Sequence, residues 1–214
     1  MNLNGIKNLI FDLDGTLIDS SEGVIEATNY GLRLLGEEER SGPEIRKYIG
    51  YPLEDMFRAF SIGSYSEFWK HFQEKAKETV VASAVPLDGV DHVIRELSKR
   101  GYKMAIGTTK IRIHIEKILR KHNWQDIFHF YAGADDVVKV KPNPEVFIKL
   151  LREMSGNSND TVVIGDTAND VFAARGASLP VMAVHSPFGM DGDLEASRPD
   201  MIIESLAELL TILK

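Results

Sequence analysis

The 214 residues predict an α/β fold: a parallel, three-layer sheet interrupted near its start by an all-helical insert. Two patterns carry this. Short apolar runs bounded by turn residues recur at positions 6–11, 102–107, 128–132, 161–165 and 181–184, and from 102 onward helical periodicities separate them. Strands joined through helices run parallel, so the core is Rossmann-like and its ligands belong at the carboxyl ends of the strands. From Ser20 to Ala84, by contrast, the pattern is helical with no convincing strand. We therefore expect a core domain of residues 1–18 and 85–214 and a helical domain of residues 19–84.

The elements follow in order. Residues 6–11 form one apolar run, as a strand covered on both faces should. Asp19 and Glu22 stand like a capping pair for the next helix, and Gly36 stops it. Pro43 and Pro52 each suit a first helical position, and Met56, Phe57 and Phe60 share one apolar face. Ser64 and Glu67 make a capping box ahead of Phe68, Trp69, Phe72, Thr79 and Val80, and we read Trp69 and its aromatic neighbours as the insert's own core. Asp88 is the expected N-cap of a helix marked by Val90, Val93, Ile94 and Leu97 and stopped at Gly101. Ile111, Ile115, Ile118 and Leu119 mark the next helix. Asn143 caps one over 144–154, another runs to Gly176, and Ser205 with Glu208 caps the last.

Composition excludes several classes of function. With 43% apolar and 27% charged residues the chain is that of an ordinary soluble globular protein. No run approaches a membrane span, and Met1 to Gly5 lacks a basic, apolar signal segment, so we expect a cytoplasmic protein that does not engage membranes. The absence of Cys removes disulfides, thiolate metal sites and a Cys nucleophile. A net charge of −7 without a long basic block argues against nucleic acid as a partner. An anionic ligand would have to be held locally, by a metal ion or a few lysines. The six histidines are scattered, without metal-ligand spacing.

The polar residues at strand ends are more informative. Asp12 and Asp14 close the first strand, and a spacing of two sends both carboxylates the same way. Gly15 lets the backbone bend closely and offers its N–H to an anion. A calcium loop would place acids at its first, third and fifth positions before a glycine, whereas here Gly15 follows Asp14 directly. A plain solvated turn is the remaining alternative. The second strand ends at Thr108, the fourth at Asp166 with Asp170 beyond, and Lys141 precedes a helix in Val140-Lys141-Pro142-Asn143-Pro144. Each residue alone has an ordinary explanation. Together they fall on one edge of a parallel sheet.

In this order the residues resemble the motifs of the haloacid dehalogenase-like (HAD) hydrolases, in their phosphatase branch. The matching stretches are Asp12-Leu13-Asp14-Gly15-Thr16-Leu17, Thr108, Lys141-Pro142-Asn143-Pro144 and Gly165-Asp166-Thr167-Ala168-Asn169-Asp170. The resemblance spans nearly the whole chain, and the insert is similar to that family's helical cap. Asp19-Ser20, Tyr48-Ile49-Gly50-Tyr51-Pro52-Leu53 and Ser205-Leu206-Ala207-Glu208-Leu209 look closest to phosphoglycolate phosphatase-like members.

The resemblance implies Asp12 as nucleophile, forming an aspartyl-phosphate, and Asp14 as general acid and then base. It implies Mg²⁺ held by the Asp12 carboxylate, the Asp14 carbonyl and Asp166, with Asp170 bracing the metal side behind them. Thr108 by its hydroxyl and Thr109 by its backbone would cradle phosphate, and Lys141 would neutralise charge at the phosphate and on Asp12. Lys139 is a lesser candidate for that role. Thr109 stands where Asn is frequent in the family; the contact expected there is through the backbone, so the departure matters little. Asp14 argues against dehalogenases, Leu13 against transport ATPases, which carry Lys there, and Gly165 against β-phosphoglucomutases, which usually carry Glu. Intact Asp12 and Asp14 argue against a non-catalytic binder. The expected substrate is a small phosphorylated metabolite such as a phosphoglycolate-like, sugar or nucleotide monoester, with inorganic pyrophosphate the alternative. Arg46, with Lys47 beside it, is our candidate in the insert to reach the substrate's far end, and His185 is a weaker candidate at the last core strand. A monomer or a homodimer is expected.

Overall fold

The computed structural model describes residues 3–190 and 192–213, so the first two residues of the stretch read for a signal segment lie outside it. β1 (Asn8–Phe11) is buried along its length and leads through a turn into β2 (Ile18–Asp19). Four helices follow: α1 (Ser21–Leu34), α2 (Gly42–Arg46), α3 (Leu53–Phe60) and α4 (Tyr65–Ser83). β3 (Val85–Pro86) then pairs antiparallel with β2, so the chain leaves and rejoins the sheet through a short two-stranded ribbon. Helices and strands alternate beyond it: α5 (Val90–Lys99), β4 (Lys103–Gly107), α6 (Arg112–His122), β5 (Phe128–Ala132) and α7 (Glu145–Glu153). β6 (Thr161–Gly165), α8 (Ala168–Gly176) and β7 (Val181–Val184) complete the alternation, and α9 (Asp193–Ala196), β8 (Met201–Ile203) and α10 (Leu209–Ile212) close the chain.

The six-stranded sheet has the order β5-β4-β1-β6-β7-β8, with every neighbouring pair parallel. β1 lies between β4 and β6, where the direction of strand addition reverses, and α/β sheets bind ligands at such a switch point. Phe11 pairs with both Ile106 and Ile164, so the residues just beyond these three emerge side by side. Leu9 and Phe11 pack on one face of the sheet with Ile118 and Trp124, while Ile10 packs on the other with Phe147 and Leu150. Covering both faces is why β1 reads as an unbroken apolar run rather than an alternation.

The helical insert has a core of its own, built from Ala27, Leu32, Phe57, Phe68, Phe72, Ala76 and Val80, with Phe57 and Phe68 stacked at 4.7 Å. α1 lies along α4 because Gly23 lets the two helices touch: its N–H donates to Ser83 Oγ at 3.0 Å, and Thr79 Oγ1 donates to its carbonyl at 3.0 Å. Among the described residues no helix is long and apolar enough to cross a membrane.

Several local expectations change. Ser20 rather than Asp19 occupies the N-cap of α1, though Asp19 Oδ1 accepts the Ser21 N–H at 2.7 Å. Gly89, at φ +73°, starts α5 in place of Asp88. Pro144 takes the N-cap of α7, while Asn143 Oδ1 accepts the Glu145 N–H at 3.1 Å. The β2–β3 ribbon, α9 and β8 went unread, since two to four residues are too few for a periodicity to register.

Candidate active site

The sheet delivers Asp12 from β1 and Asp166 from β6, and α8 brings Asp170 in its first turn, so that one carboxylate oxygen from each lies within 4.8 Å of the others. All three are buried. Lys141 reaches them from the loop before α7 with only 1% of its surface exposed. Its Nζ donates to Asp170 Oδ1 at 2.6 Å and to the Gly107 carbonyl at 3.2 Å, and forms an ion pair with Asp12 Oδ1 at 2.7 Å. Burial pulls the ammonium down, but the two carboxylates outweigh it and hold its pKa above the ordinary value. Lys139 lies exposed on the surface, where its backbone N–H donates to Glu145, which settles which lysine faces Asp12.

The remaining oxygens divide cleanly. Asp170 Oδ2 accepts from Thr167 N at 3.1 Å and Thr167 Oγ1 at 2.8 Å, so both Asp170 oxygens are engaged. Asp166 Oδ1 accepts from Thr16 Oγ1 at 2.9 Å. Asp12 Oδ2 and Asp166 Oδ2 are sealed from solvent and have no hydrogen-bond partner among the described residues. Burial pushes Asp12 up to about 7, against the pull of Lys141, and burial with the neighbouring Asp12 and Asp170 raises Asp166 well above the usual carboxylate range. Two unpartnered, hard oxygen donors in so negative a pocket fit a small divalent cation.

Gly15 serves this pocket differently from expectation. Its N–H is taken by the Ile18 carbonyl at 2.9 Å, so it is not free for an anion. What it supplies is space: at φ +81°, a side-chain carbon there would collide with the Asp166 carboxylate.

Asp14 has other neighbours. Lys110 Nζ lies 3.1 Å from its Oδ2, Ser20 Oγ donates to its Oδ1, and Lys110 Nζ also donates to Ser20 Oγ at 3.4 Å. Thr108 leaves β4 beside β1, and its Oγ1 accepts the Lys110 N–H at 3.3 Å, which curls the loop so that Lys110 turns toward Asp14. Sequence reasoning missed Lys110 and Ser20. Their only signal was adjacency, Lys110 to Thr108-Thr109 and Ser20 to Asp19.

Beside Asp14 a cavity enclosing about 600 Å³ between atoms, its open mouth included, lies where the helical insert faces the sheet edge. Thr109 lines it, as do Tyr48, Trp69, Phe72, Gln73 and His114. Trp69 is therefore a cavity wall, 37% exposed, rather than core; Phe68, one position earlier, is the fully buried residue. Arg46 is not among the lining residues: it pairs with Glu22 at 2.7 Å and lies 3.9 Å from Asp19. Gly50, at φ +89°, brings the insert against Thr167, where an added side-chain carbon would press on the threonine methyl. His114 is buried, and burial with the nearby Lys110 and Lys117 lowers its pKa to about 4, so it is neutral at pH 7. His185 is exposed, with Nε2 3.8 Å from Glu204.

Known proteins are similar to this chain. The chain is similar to Pyrophosphatase PpaX of Bacillus cereus (strain G9842), at 31% identity over 97% of this chain and 96% of the relative, and to Pyrophosphatase PpaX of Bacillus mycoides, at 29% over 97% of each. A solved structure of a haloacid dehalogenase-like family hydrolase from Streptococcus pneumoniae superposes with a TM-score of 0.88 at 27% identity, covering 98% of this chain and 99% of that one. Residues 9–184 match the family model described as haloacid dehalogenase-like hydrolase, a span that holds every carboxylate and lysine of the pocket. The chain belongs to the haloacid dehalogenase-like hydrolase family.

Proposed function

We propose that this enzyme is a phosphatase that transfers a phosphoryl group first to Asp12 and then to water. The observation that supports this reading is the unequal treatment of two carboxylates two residues apart: Asp12 is backed by Lys141 with one oxygen unpartnered, while Asp14 stands beside the cavity next to Lys110. In the first step an Asp12 oxygen bonds to phosphorus as the bond to the leaving oxygen breaks, and Asp14 gives that oxygen its proton. In the second, Asp14 takes a proton from water, whose oxygen bonds to phosphorus and releases Asp12. Lys141 holds Asp12 in place and offsets charge on the phosphoryl oxygens, and Thr108 Oγ1 with the Thr109 N–H would hold those oxygens.

Mg²⁺ is the cation that the donor set suits, with Asp12 Oδ2, Asp166 Oδ2 and the Asp14 carbonyl as ligands and Asp170 bracing Lys141 and the start of α8. When bound it would supply the positive charge that lets a phosphate dianion approach three carboxylates. Residues 19–84 would be the cap that covers the site, and residues 1–18 and 85–214 the core that carries the chemistry. The substrate in this reading is a small phosphate monoester. The relatives' name favours a second, pyrophosphate.

Asp12→Asn tests the nucleophile. Mg²⁺-dependent release of p-nitrophenol from p-nitrophenyl phosphate should vanish in a variant that keeps its melting temperature, and acid-quenched wild-type enzyme should carry phosphate on Asp12. Retained turnover in Asp12→Asn sinks the assignment.

A further inference from the structure

Resting on the phosphatase reading, we infer that the preferred substrate is the phosphate monoester of an uncharged alcohol with an aromatic or heteroaromatic body, rather than a phosphorylated small acid or pyrophosphate. The cavity beside Asp14 is where the group leaving phosphorus must lie, because Asp14 is the residue that protonates it. Its chemistry is defined by the groups on its walls.

The first consideration is charge. Lys110 is the only cation among the described residues lining the cavity, and it is engaged, 3.1 Å from Asp14 Oδ2 and bonded to Ser20. A glycolate carboxylate or a second phosphate would enter beside the Asp14 carboxylate with no other positive group to meet it, and a desolvated anion without a partner is strongly disfavoured. Arg46, which could have supplied that charge, is turned to Glu22 and Asp19 instead.

The second is surface. Tyr48, Trp69 and Phe72 present aromatic rings, and Trp69 is exposed in a position where a surface helix would ordinarily carry a polar residue. Third, two further polar side chains of the wall are neutral. Gln73 offers an amide, and His114 Nε2 is a buried atom with no hydrogen-bond partner among the described residues. A ring heteroatom or hydroxyl suits such groups; an anion does not.

The test compares kcat/KM of the wild-type enzyme with Mg²⁺ for benzyl phosphate, phosphoglycolate, pyrophosphate and acetyl phosphate. Acetyl phosphate reports the core chemistry, since its leaving group is too small to reach the aromatic walls. We expect benzyl phosphate to exceed phosphoglycolate and pyrophosphate by about tenfold or more, and Trp69→Ala to lower the ratio of benzyl to acetyl phosphate kcat/KM by about tenfold, mainly through KM, as loss of one aromatic contact should. The ratio normalises any loss of folded enzyme. Hydrolysis of acetyl phosphate with phosphoglycolate or pyrophosphate preferred, or an unchanged ratio in Trp69→Ala, overturns this inference and leaves the phosphatase reading standing. No Mg²⁺-dependent hydrolysis of any of the four overturns both.

Discussion

Lys141→Met tests the electrostatic frame of the site at its most buried point. Methionine keeps much of the aliphatic stem but removes an ammonium lying 2.7 Å from Asp12 and 2.6 Å from Asp170. At an effective dielectric of about 20, each such contact has a gross Coulomb energy of about 6 kcal/mol, most of which offsets the desolvation of the three ions. Removing one partner and leaving the others buried and charged costs a net of about 3–5 kcal/mol. The cost should depend on pH. Asp12 already sits at about 7, and without Lys141 its pKa rises further above the unfolded value. The folded state then holds a proton that the unfolded state has lost, so stability falls as pH rises through that window. We expect urea denaturation in EDTA, followed by circular dichroism, to show the full loss near pH 8, a smaller one near pH 5, and partial recovery with Mg²⁺. Turnover should fall by about a hundredfold or more with the loss of a preorganised charge at the phosphoryl group. A loss below about 1 kcal/mol, or one equal at both pH values, would refute the claim that Lys141 neutralises this carboxylate cluster.

Two further predictions follow from the same geometry. Gly15→Ala meets a cost of about 1–2 kcal/mol for a non-glycine residue at φ +81° and must displace the Asp166 carboxylate, so calorimetric Mg²⁺ affinity should fall by about tenfold or more; unchanged affinity would remove Gly15 from the metal pocket. His114, at about 4 when folded, gains no proton between its ordinary value and there, whereas the unfolded chain does, so it contributes stability above that window that is lost as pH falls through it. His114→Leu should therefore lose less stability than wild type between pH 8 and pH 5, by about 2 kcal/mol, and identical slopes in urea titrations would contradict the burial argument.

Much of the site was readable because its parts are local. Asp12-Leu13-Asp14-Gly15 and Gly165-Asp166 through Asp170 each combine a strand end with a turn, and strand ends on one edge of a parallel sheet meet whatever the intervening chain does. The cavity wall was harder. Phe68, Trp69 and Phe72 are all large and apolar on one helix, and only the packing of α4 on α1 turns Phe68 inward and Trp69 toward the opening. The pairings of Arg46 and Lys110 escaped for a related reason. A long cationic side chain can reach many acids, and the choice is made by loops that bring together residues 24 apart in one case and 96 apart in the other.

From its sequence alone the chain determined the parallel sheet, the helical insert and the identity of the carboxylates and lysine of the pocket. Periodicity and turn chemistry act within a few residues, so they are written locally. Tertiary structure alone decided that Gly15 gives room rather than a hydrogen bond to an anion, that Lys110 and Ser20 are the partners of Asp14, and that the space beside Asp14 is aromatic and carries no free cation among its described lining. Those outcomes depend on side chains meeting from distant positions and on which charges are left paired once water is excluded, and no single stretch of chain encodes them.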